Sequence, residues 1–126
     1  MSSMVRWFKK QMKKTLIPLL SISGMLLRMG VPLVAGTDLF LPGRREDKPT
    51  LFGELRYFVE VVGMTPAEAL AAATINNASV IGIEENRGSI HEGKVADLAV
   101  LRRSPLENID NLSEVLHVIQ KGRIIR

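Results

Sequence analysis

The spacing of apolar residues changes several times along the chain, and each change predicts a new element. Val5, Phe8, Met12, Leu16 and Leu19 recur at three or four residues, with Lys9, Lys10, Lys13 and Lys14 in the gaps, the pattern of a basic amphipathic helix. Pro18 suits the first turn of a helix and Gly30 the left-handed residue that ends one, so "PLLSISGMLLRMG" reads as a helix with its stop. "VPLVAG", bounded by Gly30 and Gly36, is an unbroken apolar run and predicts a strand buried on both faces. The charged stretch "LPGRREDKP" predicts a loop. Leu51, Leu55, Phe58, Val59 and Val62 then form one apolar stripe of a helix that halts at Gly63.

Thr65-Pro66-Ala67-Glu68 places a hydroxyl at an N-cap, proline at the first helical position and a carboxylate at the third, a capping box that starts the small-residue helix "EALAAAT". Asn76 or Asn77 is expected to cap a further short helix ending at Gly82. From Gly88 the period shortens. "GSIHEGKVADLAVLR" predicts a short strand, a turn at Glu92-Gly93 and a buried strand over 95–101, and "VLHVIQKGRIIR" predicts a hairpin turning at Lys121-Gly122. The order is β, a helical centre, then β, with no internal repeat and no low-complexity segment.

Composition narrows the chemistry. With 126 residues, 46% of them apolar and 24% charged, the chain suits one soluble globular domain. The absence of cysteine excludes disulfides, thiolate metal sites and a cysteine nucleophile. Only two histidines occur, His91 and His117. Residues 1–48 hold nine Lys or Arg against three Asp or Glu, a balance of +6, so the net +4 leaves −2 for the remainder and the basic character is N-terminal.

Three readings compete for that basic segment. A secretory signal would put "KKQMKK" before "TLIPLLSISGMLL", but no A-x-A cleavage pattern follows, so export is not expected and a cytoplasmic location is. A membrane span needs about twenty uninterrupted apolar residues, and Pro18, Ser21, Ser23, Gly24 and Arg28 interrupt this one. A soluble helix with a solvated lysine face is the plain reading. A phosphate-binding patch of Lys9, Lys10, Lys13 and Lys14 is the alternative; only Trp7 and Phe8 lie near it for stacking, so nucleic-acid and membrane partners are not expected.

"GVPLVAGTD", "LFGELRYFVEVVGMTPAEALAAATINNASVIGI", "GSIHEGKVADLAVLRRSPLENIDNL" and "VLHVIQKGRII" occur in that order, and together they resemble the C-terminal part of the amidohydrolase superfamily. The nearest likeness is to the imidazolonepropionase-like and dipeptidase-like metal-dependent hydrolases. It spans about Gly30 to Arg126. The resemblance implies an α/β fold made of the last units of a (β/α)8 barrel followed by strands of a small β-sandwich. It also implies a role for the aspartate that ends the apolar run. In the family that residue, Asp38 here, projects from the eighth strand into the metal site, where barrel enzymes place their chemistry, and relays a proton from the attacking water to the leaving group.

The family's other metal ligands, its His-x-His pair, its carboxylated lysine and its two later histidines, have no match in this sequence. His91 falls in the "GSIHEGK" turn and His117 in the terminal hairpin, neither at a ligand position, and a lone carboxylate does not close a zinc site. Asp38 is therefore expected to be vestigial as catalyst and metal ligand unless another chain supplies the remaining ligands. No cofactor is expected for this chain alone, against zinc or another divalent metal in the family. Glu54 and Glu60 read as the solvated side of their helix, Arg44, Arg45, Glu46, Asp47 and Lys48 as a solvated loop tip, and Asp97 as a turn residue. The expected organisation is a basic helix over 1–17, barrel-type βα units over 18–87 and strands over 88–126. The expected function is a truncated hydrolase-derived chain, inert alone, either structural or one piece of a split enzyme acting on amide or peptide bonds. The alternatives are an active hydrolase completed by another chain, and a basic surface binder. Exposed barrel-type apolar surface on Val31, Leu33, Val34 and apolar residues of 4–20 further implies a homodimer or higher oligomer.

Overall fold

The computed structural model describes residues 22–37 and 50–126, and the chain divides into two compact units after Leu33. The basic helix with Lys9, Lys10, Lys13 and Lys14, Asp38, the charged loop of 41–49 and the boundary at 17/18 all lie outside the described residues.

In the first unit residues 22–28 are helical. Gly30, at φ +76°, donates to the Leu27 carbonyl (3.0 Å) while Val31 donates to that of Leu26 (3.0 Å). This crossed pair is a Schellman motif, which satisfies carbonyls that a helix end leaves orphaned, so the stop read at Gly30 is realised.

The second unit begins with α1, Leu51–Tyr57. Thr50 caps it by accepting the Gly53 N–H (3.1 Å), and it runs on into a π-helical turn, Phe58–Val62, which ends at Gly63 with φ 87°. Helix α2, Pro66–Ala73, carries the anticipated capping box: the Glu68 N–H donates to Thr65 Oγ1 (3.2 Å) and the Thr65 N–H donates to Glu68 Oε2 (2.7 Å). Helix α3, Ile75–Val80, follows after a break at Thr74. Thr74 is the N-cap residue and makes no side-chain cap there, so the expectation that Asn76 or Asn77 caps this helix is corrected; Asn77 is used elsewhere.

The capping box gives a measurable acid dependence. The Thr65 backbone N–H and then its hydroxyl hold the Glu68 carboxyl below its usual range. A carboxylate lowered in the fold stabilises above its unfolded pKa, and that stabilisation is lost as pH falls through the folded value. Thr65→Ala is expected to cost about 1 kcal/mol at neutral pH. Glu68→Gln should flatten the acid-side fall of stability; urea midpoints measured at neutral and acid pH read both effects.

The core is helical. Leu55, Phe58 and Val62 face inward from α1 and its π turn, Ala69 and Ala72 from α2 and Ala78 from α3, joined by Met64, Ala35 and, from a 3-10 helix at Ile109–Ser113, Ile109 and Leu112. Ala69 and Ala72 are 0% exposed, and the small residues of this helix suit its packing against both α1 and α3. Asn111 is buried among these side chains and donates to the Ser104 carbonyl (2.8 Å), so its burial is compensated.

The strands β1 (Leu98–Leu101), β2 (Val115–Gln120) and β3 (Arg123–Ile124) form an antiparallel sheet in the order β1-β2-β3. Leu98 pairs with Ile119, which pairs with Ile124, and the β1-β2 register shifts between Val100 and Leu101. The hairpin turns at Lys121-Gly122, as read; Lys121 at φ 49° and Gly122 at φ 78° give the two left-handed residues of a type I′ turn.

Three strand expectations are corrected. Residues 31–37 hold no strand, and Val31 and Val34 are each 40% exposed, so the run is not buried on both faces. An apolar run becomes a strand only with a ladder partner, and none of the described residues supplies one. "GSI" is not a strand either: Gly88 (φ 86°) and Gly93 (φ 87°) bend the chain on either side of it, and Ile90 is 86% exposed. β1 starts at 98 and not at 95, because the Asp97 N–H turns back to the Val95 carbonyl (2.9 Å), closing a γ-type turn. It is half-exposed and not buried.

Candidate functional site

Residues 34–37 lead to Asp38, and their main-chain groups are taken up by helices and not by neighbouring strands. The Ala35 N–H donates to the Ala72 carbonyl at the end of α2 (3.0 Å). The Ala35 carbonyl accepts from Asn77 Nδ2 on α3 (2.8 Å). The Gly36 N–H donates to Glu54 Oε1 on α1 (3.0 Å). Polar groups that a β-ladder would satisfy thus find three different helices, and Ala35 itself is buried.

Glu54 is therefore misread as a solvated residue. It is half-buried; one carboxylate oxygen holds Gly36 and the other is buried with no hydrogen-bond partner among the described residues. Glu60, by contrast, is exposed, as expected. Three residues after Glu54 on the same helix, the Tyr57 hydroxyl is also buried without a partner among the described residues, and burial pushes its pKa up. Beside it the Phe58 ring lies tilted at 53°, with centroids 6.5 Å apart. The helix face that anchors the end of the apolar run thus carries two buried polar atoms with unused hydrogen-bonding capacity. The signal for Glu54 in the sequence is its place beside Leu55, at the margin of the apolar stripe.

Asp97 plays the turn role read for it and an additional one. Its Oδ1 accepts the Lys121 N–H (2.8 Å) and its other oxygen pairs with Arg87, so it ties the hairpin turn to the loop before β1. Lys94 reinforces that loop from within, donating to the Glu84 carbonyl and to Ser89 Oγ (2.8 Å). Arg56 on α1 pairs with Asp110 of the 3-10 helix (2.5 Å). These charges are engaged in structure.

Among the described residues no three His, Asp or Glu side chains converge as metal ligands would. His91 lies in the loop beside the 92–93 turn and His117 on β2, and both are exposed. The described donors do not fit a divalent metal. Also among the described residues, no helix is long and apolar enough to cross a membrane.

Comparison with known proteins supplies the context for this arrangement. Residues 19–125 match the model of the amidohydrolase family. The ochratoxinase of Aspergillus niger is 38% identical over 104 residues, covering 79% of this chain and 20% of that protein. The imidazolonepropionase of Symbiobacterium thermophilum is 42% identical over 67 residues, covering 51% of this chain and 16% of the relative. Among solved structures, a Xaa-Pro dipeptidase with methionine bound in its active site superposes with a TM-score of 0.75 at 32% identity, over 85% of this chain and 25% of that one. The chain thus spans about a fifth of the length of the curated relatives it matches.

Proposed function

The chain belongs to the amidohydrolase family, and on that premise we propose that it carries the C-terminal portion of a metal-dependent hydrolase of amide or peptide bonds and does not hydrolyse them by itself. In this reading the 34–37 run and the helices around it correspond to the last units of a β/α barrel, and β1 to β3 to part of a small β-sandwich. Asp38 stands at the position of the family's proton-relaying carboxylate. The observation that carries the reading is the donor inventory: the family match covers most of the chain, yet its two imidazoles, His91 and His117, lie exposed on a loop and on β2.

A second reading, in which another chain supplies the missing ligands, is favoured by the anchoring of residues 35 and 36. Their hydrogen bonds to Glu54, Ala72 and Asn77 fix the approach to Asp38 without help from a neighbouring strand. A site that needs only complementary ligands benefits from such preorganisation.

The test is direct. The purified chain, dialysed after loading with zinc, should retain no stoichiometric metal and should turn over neither a Xaa-Pro dipeptide nor a simple ester. Zinc retained after dialysis, together with turnover that Asp38→Asn abolishes, would overturn the proposal.

A further inference from the structure

Asn77-Ala78-Ser79 and Asn111-Leu112-Ser113 are the two Asn-x-Ser tripeptides of the chain, and such a tripeptide is the acceptor motif of N-linked glycosylation, ordinarily carried on a surface loop. Neither lies on a loop here: Asn77 is in α3 and Asn111 in the 3-10 helix. Asn111 is 5% exposed, with the buried Ile109 and Leu112 in the same turn. Its Nδ2 donates to the Ser104 carbonyl (2.8 Å). Asn77 is half-buried, and its Nδ2 donates to the carbonyl of Ala35 (2.8 Å), a residue only 8% exposed. In both residues the nitrogen that would carry a sugar is the one that holds a main-chain carbonyl. The main chain is engaged as well: the Asn111 carbonyl accepts the Glu114 N–H (3.0 Å) and the Asn77 carbonyl the Ile81 N–H (3.2 Å). Presenting either tripeptide as an extended segment therefore unwinds its helix.

We infer that N-glycosylation at these two asparagines and folding exclude one another: both are acceptor sites in the unfolded chain alone, and a chain modified at either is barred from the fold. The donor is an oligosaccharide linked to a polyprenyl diphosphate, the chemistry of a secretory membrane. In the transfer the amide nitrogen loses a proton and bonds to C1 of the first sugar, while the bond from that carbon to the diphosphate breaks and the polyprenyl diphosphate leaves. With 5% of Asn111 exposed, neither of its amide hydrogens opens on a space that a sugar ring fits, and a packed interior does not take up an added ring. At Asn77 the sugar would stand against Ala35, whose N–H is already held by the Ala72 carbonyl. Any further polypeptide packed on these helices buries both nitrogens more deeply.

The full chain, translated in a cell-free system behind a cleavable signal peptide with microsomal membranes, should gain glycan at both positions, read as a mass shift that an endoglycosidase removes. Once released by detergent, the glycosylated chain should be digested by a protease of broad specificity at least about tenfold faster than the chain translated without membranes. Ser79 and Ser113 are exposed, so Ser79→Ala together with Ser113→Ala removes both motifs and keeps both asparagines; that chain should take no glycan and be resistant in either system. Each single variant should carry one glycan and stay sensitive. An excess of a short Asn-x-Thr peptide, which competes for transfer, should restore resistance to the unaltered chain. A glycosylated species as resistant as the unmodified chain would overturn the proposal, as would a translocated chain that folds without taking glycan. So would sensitivity that persists when the competing peptide has blocked transfer.

Discussion

Replacing Gly88 by alanine is expected to cost about 3 kcal/mol or more, the sum of a left-handed backbone and a steric clash. A Cβ built on Gly88 would lie 2.6 Å from the Ala78 Cβ and 3.1 Å from both the Ile75 Cα and the Thr74 carbonyl oxygen, at a φ of +86°. None of these neighbours is the free end of a flexible side chain. They belong to α3 or to its N-cap, so the loop itself must move off the helix. Gly93 is the control: its φ is +87° and nothing lies within 4 Å of its added Cβ. Gly93→Ala should therefore show only the conformational part, about 1 kcal/mol. Thermal unfolding followed by circular dichroism separates the two. Equal melting temperatures for the variants would show that the close approach of the loop to α3 is not made in solution.

Leu55→Ala is expected to destabilise by about 3 kcal/mol, in the range for a large aliphatic side chain removed from a packed interior. Leu55 is 2% exposed, on the helix that packs against both α2 and the 3-10 helix. Ile90→Ala provides the contrast, since an 86% exposed isoleucine should change stability by less than about 0.5 kcal/mol. Urea unfolding at constant slope measures both. A Leu55 variant no weaker than the Ile90 variant would place the core elsewhere.

What the sequence displayed correctly is local. The stops at Gly30 and Gly63, the Thr65-Glu68 box and the Lys121-Gly122 turn are each settled by bonds within a few residues, so their residue types reveal them. Of the stripe read as Leu51, Leu55, Phe58, Val59 and Val62, the members Leu55, Phe58 and Val62 are buried while Leu51 is exposed and Val59 half-buried; that its last turn is π and not α was not legible. What was illegible depends on distant partners. "VPLVAG" has the composition of a strand, but strands are defined by neighbours, and here residues 35 and 36 bond to helices. Glu54 sits at the edge of an apolar stripe, and only the placement of Gly36, 18 residues away, decides that its carboxylate turns inward. The early part of the strand expected from 95 is lost because the Asp97 N–H turns back to the Val95 carbonyl, in a turn whose carboxylate is held by Arg87 and by the Lys121 N–H. Asp38, the residue the family resemblance singles out, lies outside the described residues.

The anchoring of residues 35 and 36 makes their three bonds depend on one another. The bond from Gly36 to Glu54 spans 18 residues and the one from Asn77 to Ala35 spans 42. The entropy of closing a flexible loop grows only logarithmically with its length, by about 0.6 kcal/mol for each doubling. Once Glu54 has captured Gly36, Asn77 and Ala72 meet an Ala35 already brought close, so the later bonds carry little further closure cost. Loss of the Gly36–Glu54 bond should therefore weaken the Ala35 bonds to Ala72 and Asn77 as well, so that the anchors of residues 35 and 36 are lost together and not one by one.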